Sequence, residues 1–403
     1  MALPAAARFR DVFAVGEFRA LWLAQAQSRV GDQFARVALA LLVFDRTSSA
    51  GLTAAVYALT LLPPLVTASL LGGLVDRYPR RTVMVGVDLI RAAVIGMMAI
   101  PAMPLPVLAV LVVAATSPQP LFAAARNATL PNILVGDRFP VGMSIISSTD
   151  NLAQIIGFAV GGVAVAVTSP QLLLLVNAVT FVLSAALVRW GIRPHRPAPA
   201  SGSDAGVPGG ADGRRHQTGF GLVRRDRQLL CLASLVWLYG FFLAPEALAV
   251  PYAQQIGVGD SAVGVLMAAN VCGAMVGTLL VTRIRPERRE RLTLPLALAT
   301  GAPLVATVTG PPLPLTVVLW AASGILSAYL VLAQVSFTRR VPDAVRGRAI
   351  GFASAGLQTA QGAGVLLAGG FAEVMPPSVA IAVCAAAGSI GVLVVRAAFT
   401  GTS

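Results

Sequence analysis

Lysine is absent from this 403-residue chain: all thirty of its basic side chains are arginine, set against seventeen acids. A phosphate loop of the G-x-x-x-x-G-K-[ST] type needs a lysine, so the chain holds no ATPase engine of that kind. Schiff-base chemistry is excluded for the same reason. Histidine is scarce as well. His195 and His216 both fall in a polar stretch at mid-chain, which leaves the apolar body without a histidine metal cluster or a His-based triad. Cys231, Cys272 and Cys384 are dispersed in apolar segments, where they read as small hydrophobes and indicate no disulfide framework. Charge of either sign is sparse. Only 12% of residues are charged and 56% are hydrophobic, whereas soluble domains carry about 25% charged residues. The formal charge of +13 would ordinarily raise the question of nucleic acid, but these charges are too few, and too widely separated by apolar runs, to form such a surface. No nucleic-acid partner, metal or cofactor is expected.

What the chain has in abundance is long apolar sequence. A membrane helix needs about 20 largely apolar residues, and twelve stretches qualify: 18–44, 50–75, 82–102, 104–125, 143–168, 170–190, 228–254, 261–283, 292–310, 314–338, 349–371 and 376–397. The first contains Arg29, Asp32 and Arg36 and lacks a small-residue cleavage pattern, so it is expected to be a retained helix and not a signal peptide. Between the sixth and seventh stretches, Pro194 to Gly213 is rich in Pro, Gly, Ser and Ala, a linker composition. The expected organisation is an N-terminal six-helix bundle (1–192), a flexible cytoplasmic linker (193–227) and a C-terminal six-helix bundle (228–403). The halves look duplicated. Gly51 matches Gly264, Leu130-Pro131 matches Val341-Pro342, and Gly161-Gly162 matches Gly369-Gly370, all at an offset of about 210 residues, as repeat-built transporters show.

Arginine placement gives the orientation, because short basic loops stay on the cytoplasmic side. Twenty-six of the thirty fall before the first stretch, in alternate loops, in the linker or at the C-terminus; only Arg46 falls on the opposite side, and Arg29, Arg36 and Arg91 lie within helices. The fold class expected is therefore an all-α membrane protein of twelve transmembrane helices in two pseudo-symmetric bundles, with both termini cytoplasmic.

The loop after the second stretch reads Gly72-Gly73-Leu74-Val75-Asp76-Arg77-Tyr78-Pro79-Arg80-Arg81. It resembles the loop signature of the major facilitator superfamily, in a shortened form, with Pro79 at the usual second glycine, like that of drug and siderophore exporters including macrolide efflux proteins and the enterobactin exporter. The resemblance implies a cytoplasmic gate formed by Gly72, Asp76, Arg77, Arg80 and Arg81, with Arg126 and, from the 10-11 loop, Arg346 and Arg348. The alternative is that these arginines are only positive-inside anchors. Gly157-Phe158-Ala159-Val160-Gly161-Gly162 in the fifth stretch resembles the family's antiporter signature with Phe158 in place of its proline; Gly157, Gly161 and Gly162 would equally serve small-residue helix packing.

Ionisable residues inside membrane helices are functional candidates. Arg29, Asp32 and Arg36 share one face of the first stretch, and Asp88 and Arg91 one face of the third. The latter two are expected to form a structural ion pair. Glu246 differs, having no basic residue within a helical turn or two in sequence and lying between Pro245 and Pro251, which break a helix. It is the first candidate for proton coupling, followed by Asp32 with Arg36 and Arg29, and then Asp150. Cavity-lining candidates are Gln25, Gln33, Gln119, Trp237, Tyr239, Tyr329 and Gln334, which suit an amphipathic ligand.

The resemblance thus implies a proton-driven exporter of small amphipathic compounds. It would need no cofactor beyond a proton gradient and would act as a monomer among lipids in a bacterial cytoplasmic membrane. Proton-coupled uptake and a non-transporting sensor or scaffold are the alternatives. An enzyme reading has one foothold, Gly257-Val258-Gly259-Asp260, a G-x-G-D pattern of intramembrane aspartyl proteases, but the required Tyr-Asp partner is missing from the sequence.

Overall fold

The computed structural model describes residues 8–71, 77–194, 223, 226–342 and 345–400. Among these residues every regular element is helical, the only non-α element being a short 3-10 turn at Ala306–Thr309. Among the described residues, nine helical stretches are long and apolar enough to cross a membrane. Three further helices are long: Gly16–Thr47 and Arg80–Met98, which carry more charge, and Arg346–Ala372, whose apolar run is diluted by glycines and by Gln358 and Gln361. The chain is a multi-pass membrane protein, and its surface agrees, since Val110, Val163, Leu183 and Val318 are all more than half exposed on their helices. Such side chains suit lipid, where every backbone group is satisfied within the helix and apolar atoms need no cover.

Helix starts follow local chemistry. Ser49, Ser169 and Asp226 each cap a helix by accepting backbone N–H groups, from Leu52, from Leu172, and from Gln228 with Leu229. This satisfies donors that a helix N-terminus otherwise leaves open. Pro170 and Pro286 occupy the first helical turn, where a missing N–H does no harm.

The chain groups into two compact units, Met1–Leu39 with Pro63–Gly206, and Ala40–Leu62 with Val207–Ser403. Residues 40–62, which a six-plus-six division counts in the N-terminal bundle, pack with the C-terminal residues. In the first unit the core joins Phe18, Leu21, Met84, Leu130, Ile146 and Val188, with Phe13 edge-on to Trp22 at 5.1 Å.

In the second unit, backbone packs directly on backbone. A Cβ at Gly273 would fall on the carbonyl of Ala321, one at Gly277 on that of Ile325, and one at Gly324 on that of Asn270. Helices Ser261–Thr282 and Leu313–Leu326 therefore meet at a spacing only glycine permits, the membrane's small-residue device for helix contact. The same closeness fixes the seventh apolar stretch, because Gly240 and Gly364 each lie against the other's helix backbone.

That seventh stretch is segmented into Arg227–Trp237, Tyr239–Phe242, Ala244–Ala247 and Ala249–Gln255. Pro245 and Pro251 carry no N–H, and tight contacts such as Glu246 N–H to the Leu243 carbonyl at 3.1 Å replace the regular ladder. The prolines thus account for the interruptions at Leu243 and Leu248, beside the carbonyls their missing donors would have served.

Candidate functional site

Both units bury ionisable groups. In the first, Asp32 accepts from the Arg91 guanidinium at 2.9 Å, while Arg91 also donates through Nε to the Ala115 carbonyl at 2.9 Å and lies 4.1 Å from the Phe181 ring centre. Asp88 is not the ion-pair partner of Arg91 that their spacing suggests. Its carboxylate instead accepts the Ser184 hydroxyl at 2.6 Å, because the arginine side chain reaches across to another helix while Asp88 faces Pro170–Gly191. Arg29 likewise leaves its own helix neighbour and pairs with Asp150 at 3.2 Å, which also accepts Gln25 Nε2 at 2.6 Å. Gln25 Oε1 remains buried without a hydrogen-bond partner. Arg36 donates to Gln33 at 3.3 Å. Spacing within one helix identifies residues on a common face but not the helix that each will answer.

Of these groups Gln25, Arg29, Asp32, Asp88 and Arg91, with Gln119 and Arg126, line a cavity of about 30 Å³, room for a water molecule or two. Arg126 is buried and donates through Nε and Nη2 to Asn127. Among the helix 5 glycines, Gly157 packs on Gln33 and Gly161 on Phe34, so both are in use as helix contacts; Gly162 is buried.

In the second unit Glu246 is buried and accepts the Tyr57 hydroxyl at 2.7 Å. Tyr57 belongs to Ala50–Ala58, a helix that packs on Arg346–Ala372 with Gly369 lying against Ala54 and Gly51. The N-terminus of the same helix meets a second acid. Glu373 accepts the Ser49 hydroxyl and the Gly51 N–H, each at 2.6 Å, and these two donors hold its carboxyl below the usual glutamate range. Tyr57, Ser49 and Glu373 are absent from the sequence-based candidates. A signal existed for two of them, since Tyr57 is one of five tyrosines and Glu373 is the only acid after Asp343.

The aromatic cavity candidates of this unit divide. Tyr329 is fully buried and donates to the Leu235 carbonyl at 3.3 Å, and Trp237 donates to the Ala353 carbonyl at 3.0 Å while packing on Phe352 and Gly356. Both are packing residues in this geometry. Gln334 lines a 130 Å³ cavity with Ala233, Phe337, Ile350 and Ser354, and Tyr239 is half-buried.

Of the expected gate residues, Gly72 and Asp76 lie outside the described residues. Arg77 and Arg348 are exposed. Arg80 donates to the Ala128 carbonyl at 2.5 Å and Arg81 to the carbonyls of Ile192 and Arg189 at 3.2 and 3.4 Å, and Arg346 donates to the Val341 carbonyl at 3.4 Å. Arg81 and Arg346 thereby serve the open carbonyls at helix C-termini.

The sequence profile of the Major Facilitator Superfamily matches residues 21–310 and 247–402. The multidrug efflux pump Tap of Mycobacterium tuberculosis is 29% identical over 369 residues, covering 86% of this chain and 84% of Tap. Macrolide efflux protein A of Streptococcus pyogenes is 24% identical over 233 residues, 57% of this chain and 56% of that protein. Among solved structures, the nucleoside transporter NupG overlays with a TM-score of 0.71 at 13% identity, over 94% of this chain and 99% of that one. The peptide transporter POT in complex with sulfate gives 0.72 at 15%, over 97% and 95%.

Proposed function

Since the chain belongs to the Major Facilitator Superfamily, and is a transporter and not an enzyme, we propose that it exports small amphipathic compounds by proton-coupled alternating access. Its curated relatives are efflux pumps, which supports the outward direction and the drug-like class of substrate. In this reading Glu246 takes a proton from the outside and releases it inside, alternating with substrate. The observation that carries it is the pairing of a buried carboxylate with a neutral donor, the Tyr57 phenol. Asp32 and Asp150 are bridged by guanidinium groups, and a proton on either would sacrifice an ion pair and leave an arginine partly buried beside a neutral acid. A proton on Glu246 weakens its hydrogen bond to Tyr57.

The nine apolar stretches and the three further long helices together support twelve membrane helices. The arginine bias supports two six-helix bundles joined by the 193–227 linker, with both termini in the cytoplasm of a bacterium. Asp76 with Arg77, Arg80 and Arg81 would gate that side, and the transporter would act as a monomer in lipid.

Proton-driven efflux of a radiolabelled macrolide from proteoliposomes should be lost in Glu246→Gln; undiminished efflux would overturn the assignment. The second reading is uptake by proton symport, favoured by Phe158 standing where the exporter signature has proline. Under an imposed pH gradient, accumulation confined to right-side-out vesicles would establish uptake in place of export.

A further inference from the structure

Helix Ala50–Ala58 is held by two glutamates from distant parts of the sequence. Glu373 caps its N-terminus through Ser49 and Gly51, and Glu246 accepts Tyr57 near its C-terminal end. The first contact is exposed and the second is buried. We propose that Tyr57 is the positioning residue for Glu246, its hydroxyl fixing the carboxylate and transmitting the arrival of a proton to helix Ala50–Ala58. This rests on the reading of Glu246 as the proton carrier and adds the group that senses its charge.

The chemistry is that of a donor facing an acceptor whose strength changes. A hydrogen bond to a carboxylate is roughly twice as strong as one between neutral groups, so the 2.7 Å contact holds tightest when Glu246 is deprotonated. Protonation weakens the hold at this end of the helix and leaves the Glu373 cap at the other end untouched. No atom of Tyr57 is transferred; the phenol keeps its proton throughout.

Elements packed on Ala244–Ala247 include Ala50–Ala58, Ser261–Thr282, Arg346–Ala372, Pro377–Thr400 and the neighbouring segments of its own stretch. Their titratable side chains are Tyr57, Cys272, Arg346 with Arg348 at the helix start, Cys384 with Arg396, and Tyr239 with Tyr252. Arg346, Arg348 and Arg396 sit near helix ends. Tyr57 reaches the Glu246 carboxylate with a hydrogen bond from a neighbouring helix.

The test is an infrared pH titration of the reconstituted full chain, following the protonated-carboxyl stretch assigned by its loss in Glu246→Gln. Tyr57→Phe removes one donor to the carboxylate, so the proton should persist on Glu246 to higher pH, the midpoint moving up by about one pH unit. Fluorotyrosine at position 57 keeps the shape and strengthens the donor, and should move the midpoint down. It also provides the measurement should the phenylalanine variant fail to fold. A midpoint unchanged in either variant overturns the role of Tyr57. Failure of the underlying reading is separate and visible elsewhere: macrolide efflux that survives Glu246→Gln removes the proton-carrier role, whatever the infrared midpoints do.

Discussion

In the unit that holds Pro63–Gly191, Asp32 faces Arg91 at 2.9 Å and Asp150 faces Arg29 at 3.2 Å, whereas in the unit that holds Ala50–Ala58 the buried Glu246 faces a phenol at 2.7 Å. Both arrangements satisfy an acid within the helix packing, and they differ in what a proton does. An ion pair between helices has one stable protonation state, because neutralising either partner strands the other in a poor solvent. An acid beside a hydroxyl has two. The first unit sets its acids against guanidinium groups on other helices, and the second sets a buried carboxylate against a phenol.

Removing one side of a pair tests that contrast most severely. Arg91→Ala leaves Asp32 without its guanidinium and Phe181 without its stacked cation, and should lower stability by about 3 to 5 kcal/mol, read as a large fall in the thermal midpoint in detergent. Removing both charges, as Arg91→Ala with Asp32→Ala, should restore much of that loss. If the double variant is as unstable as the single one, the ion pair is not what holds these helices. A second prediction sharpens the comparison by perturbing packing without charge. Gly324→Ala puts a Cβ onto the Asn270 carbonyl and should cost about 1 to 3 kcal/mol, with an unchanged pH profile of transport. A shifted profile would mean that packing in the second unit and protonation are not separable.

The smallest effect concerns Glu373. Its folded carboxyl lies below its ordinary value because Ser49 and Gly51 donate to the charged form. Its contribution is therefore complete above the unfolded glutamate value and is lost as pH falls through the depressed folded one. The group is exposed, so screening reduces the effect to a few tenths of a kcal/mol. Glu373→Gln should flatten the acid limb of the stability profile slightly and leave neutral stability lower by that amount. An identical acid limb in the two proteins would count against the cap.

The helical membrane class is legible in composition because lipid constrains every residue of a span in the same way. The segmentation of the seventh stretch is equally legible, since Pro245 and Pro251 act on their own backbone. Partners are not. Arg29, Asp32 and Arg36 share a helix face as their spacing requires, yet Arg29 and Asp32 pair with Asp150 and Arg91, because a long guanidinium reaches whichever acid the neighbouring helix presents. Tyr57 shows the same limit: nothing near residue 57 in sequence points to residue 246. Residue type marks Trp237 and Tyr329 as cavity groups, yet both are occupied in donating to carbonyls, since type alone does not tell a lining side chain from a packed one.

Helices Ser261–Thr282 and Leu313–Leu326 touch through main chain at Gly273, Gly277 and Gly324. With no side chain between them at these three positions, neither can slide or roll there on the other without carbonyl meeting carbon. In this transporter the pair behaves as a strut: it can be carried, but it cannot be bent. Reporter probes belong elsewhere, for a cysteine or a fluorophore at any of the three glycines would wedge the strut apart before it reported on anything.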